Sequence, residues 1–210
     1  MVGAIDVRIR QLAMRLSSLQ PHPGSDPYLE PYPTEGDLAA RWIHAAAQLG
    51  DVVDRRIADL CSGNGVLGVA AGLLGASEVT FHELDPTTSA IAQANALDVL
   101  GASDASPHWE IHTGPAETAD LEGVQTVIMN PPWGVQRQRA DRPIIEHALS
   151  SDAEVIHLMH SSDAAHLPAL IEAHGRRAEI LLEGAFRIPA RFEHHTARSS
   201  STPFTCWRIV

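Results

Sequence analysis

Lysine is absent from this chain: all fifteen basic residues are arginine, and they stand against twenty-six acidic ones for a net charge of −11. A chain this acidic does not hold bulk nucleic acid tightly by charge alone, because that binding is driven by phosphate neutralisation. Cysteine is scarce. Cys61 and Cys206 form no CxxC pair and no zinc spacing; one disulfide between them is an alternative, and a reducing compartment is the simpler view. Long apolar runs are missing too. Nothing approaches the ~20 residues of a membrane span. Residues 1–20 read as an amphipathic helix with three arginines, not as a signal peptide. No membrane association is expected, and the cytoplasm is the expected location.

What is there suits one globular domain. The chain has 210 residues, 44% hydrophobic and 20% charged, enough for a full core. We read residues 1–33 as an N-terminal helix and Pro-rich segment, and 34–210 as the catalytic core. Ile5, Ile9, Leu12, Leu16 and Leu19 recur at helical spacing. Residues 20–33 are proline-rich and must be extended or turned. Thr34 with Asp37 forms a weakened capping box for a helix reaching about Leu49. Short apolar strands then alternate with helices. The strands fall at 57–60, 79–83, 109–112, 126–129, 155–159, 179–188 and 204–210. Helices are expected at 66–74, 86–100 and 166–173. That alternation predicts a doubly wound α/β sheet.

Asp59-Leu60-Cys61-Ser62-Gly63-Asn64-Gly65 sits where the first strand turns into its helix. Gly63-x-Gly65-x-x-Gly68, with Glu83 about twenty residues on, matches the dinucleotide-binding fingerprint, so a nicotinamide oxidoreductase is one reading. Charge separates the ligands. A pyrophosphate on this turn would be repelled by a carboxylate at the strand end, whereas S-adenosylmethionine carries an ammonium and a sulfonium that Asp59 would welcome. Glu83 suits a ribose diol in either case. A ligand-free strand–helix turn is the bland alternative.

Asn130-Pro131-Pro132-Trp133 follows the apolar strand 126–129. In a doubly wound sheet it should face the glycine loop across the crevice at the switch point. The lone pair of a planar exocyclic amine such as adenine N6 is delocalised and weakly nucleophilic. Acceptors on both N–H groups draw that nitrogen toward tetrahedral geometry. The Asn130 side-chain oxygen and the Pro131 carbonyl can be those acceptors, stiffened by Pro132. Trp133 is expected to stack on the flat base. A proline-rich loop with a half-buried tryptophan is the alternative.

These pieces resemble the small-subunit-rRNA adenosine N6-methyltransferases of eukaryotes and archaea. The matching stretches are Leu29-Glu30-Pro31-Tyr32-Pro33-Thr34, the glycine loop through Leu67, Glu83-Leu84-Asp85, Asn130-Pro131-Pro132-Trp133-Gly134 and Leu158-Met159-His160-Ser161-Ser162. The resemblance implies a Rossmann-like class I methyltransferase sheet of seven strands with an antiparallel last strand and an N-terminal helical extension. It implies S-adenosylmethionine as cofactor, with Thr34, Cys61, Asn64, Val66 and Glu83 lining its pocket and Asn130 to Trp133 as the catalytic set; Asp59, Gly63 and Gly65 join the cofactor residues from the reading of the glycine loop above. It also implies RNA as substrate and a small zinc-containing activator protein as partner. Three positions depart from the pattern: Pro31 stands for glutamine, Trp133 for phenylalanine, and Thr113-Gly114-Pro115 for an acidic residue that Glu117 could replace.

Arg137, Arg139, Arg142, Arg187, Arg191 and Arg198 cluster in 134–142 and 187–198, beside only Asp141 and Glu193. Arg137, Arg139, Arg187 and Arg191 are the candidates for holding substrate phosphates; a scattered solvated surface is the alternative. His157 with His160, and His194 with His195, lack a carboxylate or cysteine at ligand spacing, so no metal is expected. Rival activities are protein glutamine N5-methylation, since a side-chain amide is also planar, DNA adenine methylation, and a non-catalytic cofactor-binding scaffold.

Overall fold

The computed structural model describes residues 9–23, 34–101, 107–133, 141–187 and 201–210. Seven strands, β1 (Arg56–Leu60), β2 (Glu78–Glu83), β3 (His108–Thr113), β4 (Thr126–Met129), β5 (Val155–Ser161), β6 (Ala178–Arg187) and β7 (Ser201–Ile209), form one sheet in the order β3-β2-β1-β4-β5-β7-β6. The pairs among β1 to β5 are parallel, and β7 runs antiparallel to both β5 and β6.

The alternation of side chains along a strand feeds two cores. Ile57, Ile128 and Met159 point into the layer with α1 (Ile9–Ser17), α2 (Gly36–Gln48), α3 (Val66–Leu73) and α4 (Pro86–Leu100). Ala58, Leu60, Val127, Met129, Ile156 and Leu158 point into the layer with α5 (Arg142–Ser150) and α6 (Leu167–Ala173). The central strand β4 is buried throughout, as a parallel strand covered on both faces must be. Among the described residues no helix is long and apolar enough to cross a membrane.

Local chemistry explains the borders. Asp85 caps α4 by accepting the Thr88 N–H at 2.8 Å, and Pro86 opens the helix with its φ already set. Three expectations need correction. Thr34 does not cap α2: the cap is Glu35, without a side-chain bond, and the helix opens at Gly36. A side chain at Gly36 would come within 2.5 Å of the Ser17 backbone, so glycine is what lets α1 end against α2. The first helix, described from Ile9, ends at Ser17 and so does not reach Leu19; its expected start at Ile5 lies outside the described residues. Finally, α5 was not anticipated. Its apolar face is Ile144, Ile145, Ala148 and Leu149, and Arg142, grouped above with the rim arginines, instead pairs with Glu146 one turn on at 2.8 Å.

Candidate functional site

Strands β1 and β4 are neighbours with Leu60 opposite Met129, so Cys61 and Asn130 leave adjacent strand ends side by side. Between them opens a cleft lined by Thr34, Cys61, Ser62, Gly63, Asn64, Val66, Glu83, Asn130, Pro131 and Pro132, closed on other sides by His22, His82, Leu84, Glu117 and Ile144. This is the switch-point crevice expected from the topology.

The glycine loop forms one wall. Gly63 sits at φ 56° and Gly65 at φ 82°, the left-handed region that glycine enters without strain. Cys61 also adopts it, at φ 56°, a strained conformation for a residue with a side chain. Burial, with the negative charges of Glu83, Asp59 and Glu117, pushes the Cys61 thiol far up, so it stays neutral and offers no thiolate nucleophile. Glu83 closes the loop: Gly63 N–H donates to its Oε2 at 2.9 Å and Asp85 N–H to its Oε1 at 3.0 Å. Asn95, buried on α4, was missed in the sequence. It donates to the carbonyls of Gln20 (3.1 Å) and Asn64 (2.9 Å) and accepts from Gln20 N–H (2.8 Å), pinning the chain before His22 over the loop. An asparagine in the middle of a helix gives no sign of such a role.

Three expected cofactor or catalytic residues do not line the cleft. Gly65 lies behind it as the N-cap of α3. Asp59 is completely buried, accepting Gly68 N–H at 2.8 Å. Burial pushes its carboxyl up to about 8, opposed by the Gly68 hydrogen bond and reinforced by the charge of Glu83. Trp133 is 6% exposed, and one face stacks on His160 at 5.9 Å, so the anticipated open stacking face is not what the ring presents.

Trp133 instead orients the asparagine. Its Nε1–H donates to Asn130 Oδ1 at 3.1 Å, while Asn130 Nδ2 donates to Thr34 Oγ1 at 3.2 Å. Those two contacts fix which end of the amide is oxygen. An amide oxygen has capacity for two hydrogen bonds, so Oδ1 can accept from Trp133 and from a ligand N–H together.

The cleft fits a cationic, polar ligand. Among the described residues no arginine lines it, whereas Glu83 and Glu117 do. His82 adds no positive charge near neutral pH, because burial and the neighbouring His112 and His147 lower it to about 4. The buried Ser62 hydroxyl has no hydrogen-bond partner among the described residues, an orphan that a polar ligand would satisfy.

Of the rim arginines, Arg137, Arg139, Arg191 and Arg198 lie outside the described residues, and Arg187 is described only as the last residue of β6. His194, His195, Pro31 and the other residues of 24–33 lie outside them as well. The other pair, His157 and His160, revises the sequence reading, for each finds a carboxylate across space. His157 Nε2 is 3.0 Å from Asp51, and His160 Nε2 is 3.0 Å from Asp141, which His166 also approaches at 3.4 Å. Burial raises the Asp141 pKa, but the hydrogen bond and charge of His160 and the charge of His166 outweigh it and hold the carboxyl below its ordinary value.

A seven-stranded sheet with an antiparallel β7, a glycine loop after β1 and an acidic end to β2 define the class I methyltransferase fold. Within that class the chain resembles the rRNA adenosine N6-methyltransferases. It is 26% identical over 200 residues to the rRNA N(6)-adenosine-methyltransferase Mettl5 of Drosophila melanogaster, covering 86% of each chain. An uncharacterized protein of Methanocaldococcus jannaschii is 29% identical over 212 residues, with 97% of this chain and 94% of that one covered. Among solved structures, a candidate RNA methyltransferase of Pyrococcus horikoshii superposes with a TM-score of 0.81 at 29% identity, covering 96% of this chain and 97% of that one. No family model matches the chain.

Proposed function

We propose that this chain transfers the methyl group of S-adenosylmethionine to N6 of an adenosine in RNA, with rRNA as the substrate. The observation that carries the reading is the chain Thr34–Asn130–Trp133, which aims the Asn130 oxygen from the β4 end beside the glycine loop. S-adenosylmethionine supplies an electrophilic methyl group, and its positive charges suit a cleft whose described lining holds two carboxylates and no arginine. Glu83 would hold the ribose diol, Ser62 and Glu117 polar groups elsewhere on the cofactor, and Thr34, Cys61, Gly63, Asn64 and Val66 its contours. Asp59 and Gly65 would act from behind, by holding the loop in shape.

Asn130 Oδ1 and the Pro131 carbonyl would accept the two N6 hydrogens, lifting the nitrogen lone pair out of conjugation and toward the methyl group. Catalysis then comes from positioning and from hydrogen bonds that strengthen as the nitrogen becomes tetrahedral. No strong base is required, since the methylated ammonium sheds its proton readily to water. Arg137, Arg139, Arg187 and Arg191 would hold phosphates, and a small zinc-containing activator would help an acidic chain engage RNA in the cytoplasm. The names of the fly relative and the Pyrococcus neighbour support RNA as the substrate class.

The reading is tested by digesting rRNA from cells with and without this chain and quantifying nucleosides by mass spectrometry. One N6-methyladenosine should disappear with the chain. Unchanged N6-methyladenosine, with a methyl group lost from a protein glutamine, would transfer the assignment to the amide.

A further inference from the structure

Behind Trp133, three ligand-bearing side chains from three separate segments meet. Asp141 stands at the start of α5, His160 near the end of β5 and His166 at the N-cap of α6. Asp141 and His160 are buried, with side chains 4% and 2% exposed, while His166 is 51% exposed and opens the cluster to solvent. One oxygen, Asp141 Oδ2, lies 3.0 Å from His160 Nε2 and 3.4 Å from His166 Nε2, and all three ligand atoms fall within 4.8 Å of one another.

These separations have a simple meaning. With bonds of roughly 2.0–2.1 Å to imidazole nitrogen and carboxylate oxygen, a tetrahedral ion keeps its ligand atoms about 3.3 Å apart. Two of the three spacings already sit near that value, and the third, between the two imidazoles, involves the exposed His166. Two imidazoles and a carboxylate form a borderline donor set that suits zinc and its neighbours better than magnesium or calcium. The fourth position would face solvent on the His166 side.

We propose that Asp141, His160 and His166 bind a divalent transition metal, Zn2+ being the ion that fits the donor set. It would act structurally, tying the ends of β5, α5 and α6 into one unit. His160 is the face on which Trp133 stacks, and Trp133 in turn holds Asn130, so the ion would stiffen the support of the catalytic wall from outside the cleft. Hydrogen bonds from two imidazoles to one carboxylate, with no ion, are the competing arrangement. The inference stands on these three side chains and does not depend on the methyl-transfer reading.

The test is titration of Zn2+ into the metal-free full chain against a chromophoric chelator, with His166→Ala and His108→Ala alongside the unchanged protein. His166 is exposed, so its loss leaves the core intact. His108 lies in a second, exposed His–Glu–His group on β3 and controls for surface binding. One Zn2+ per chain is expected, weakened at least ~10-fold by His166→Ala and unchanged by His108→Ala. No stoichiometric binding by the unchanged protein, a loss smaller than ~10-fold in His166→Ala, or an equal loss in His108→Ala would overturn the proposal.

Discussion

Replacing Asp59 with asparagine separates a loop-holding role from a ligand-charge role. Asp59 is fully buried, its Oδ2 accepts Gly68 N–H, and its Oδ1 has no partner among the described residues. Its carboxyl is pushed up to about 8 from 3.8, so the folded chain binds a proton there that the unfolded chain has released. Stability contributed by this group is therefore greatest below the unfolded value and falls as pH rises toward 8. Each unit separating the two states corresponds to ~1.4 kcal/mol, so the loss across the window is on the order of 5 kcal/mol. An asparagine amide in its place would not titrate, and its extra N–H group would be buried without a partner, at about 1–3 kcal/mol. The Asp59→Asn variant should be the less stable protein near pH 4 and the more stable one near pH 9. Urea denaturation of both proteins across that range reads the crossover. A stability difference that stays constant with pH would refute the claim that the carboxyl is held protonated.

Other positions give equally direct outcomes. Arg208 clamps the buried Asp51 with contacts of 2.7 and 2.9 Å, and His157 adds a third. Although burial opposes it, these partners hold the Asp51 carboxyl far below its ordinary value. The stabilisation is thus present at neutral pH and disappears as pH falls through the folded-state value. Arg208→Met leaves that buried carboxylate with His157 as its one remaining contact among those above and should cost about 3–5 kcal/mol in neutral urea melts; a change below ~1 kcal/mol would contradict the account. Gly68→Ala places a Cβ 2.3 Å from the Phe81 ring and should destabilise by roughly 1–3 kcal/mol in thermal melts. Trp133→Phe retains a ring against His160 but removes the N–H that holds Asn130, so turnover should drop about 10-fold or less, with cofactor affinity in calorimetry unaltered.

Much of the fold was legible because its signals are local. Strand 126–129 matched β4 residue for residue, and Pro86 with Asp85 marked α4, since an uninterrupted apolar tetrapeptide and a capped proline have few other uses. Helix α5 was obscured because its first residues belong to an arginine-rich stretch that reads as solvent-exposed loop. The cleft was legible where one short motif supplies a whole wall, as in Cys61–Val66 and Asn130–Pro132. It was not legible where meaning depends on distant partners. Asn95 reaches the glycine loop across 31 residues, and Asp141 meets His160 across 19. Trp133 carried the right neighbourhood but the wrong direction: no sequence pattern shows that its ring turns to His160 and its N–H to Asn130.

The central claim is that Asn130 acts on the target nitrogen in the transition state. Single-turnover transfer of labelled methyl groups from S-adenosylmethionine to rRNA fragments, comparing the unchanged chain with Asn130→Ala and reading N6-methyladenosine after digestion, tests it most directly. The account predicts a rate at least ~100-fold slower in the variant with cofactor affinity nearly unchanged. Full activity in Asn130→Ala, or label recovered on protein glutamine and none on adenosine, would contradict it.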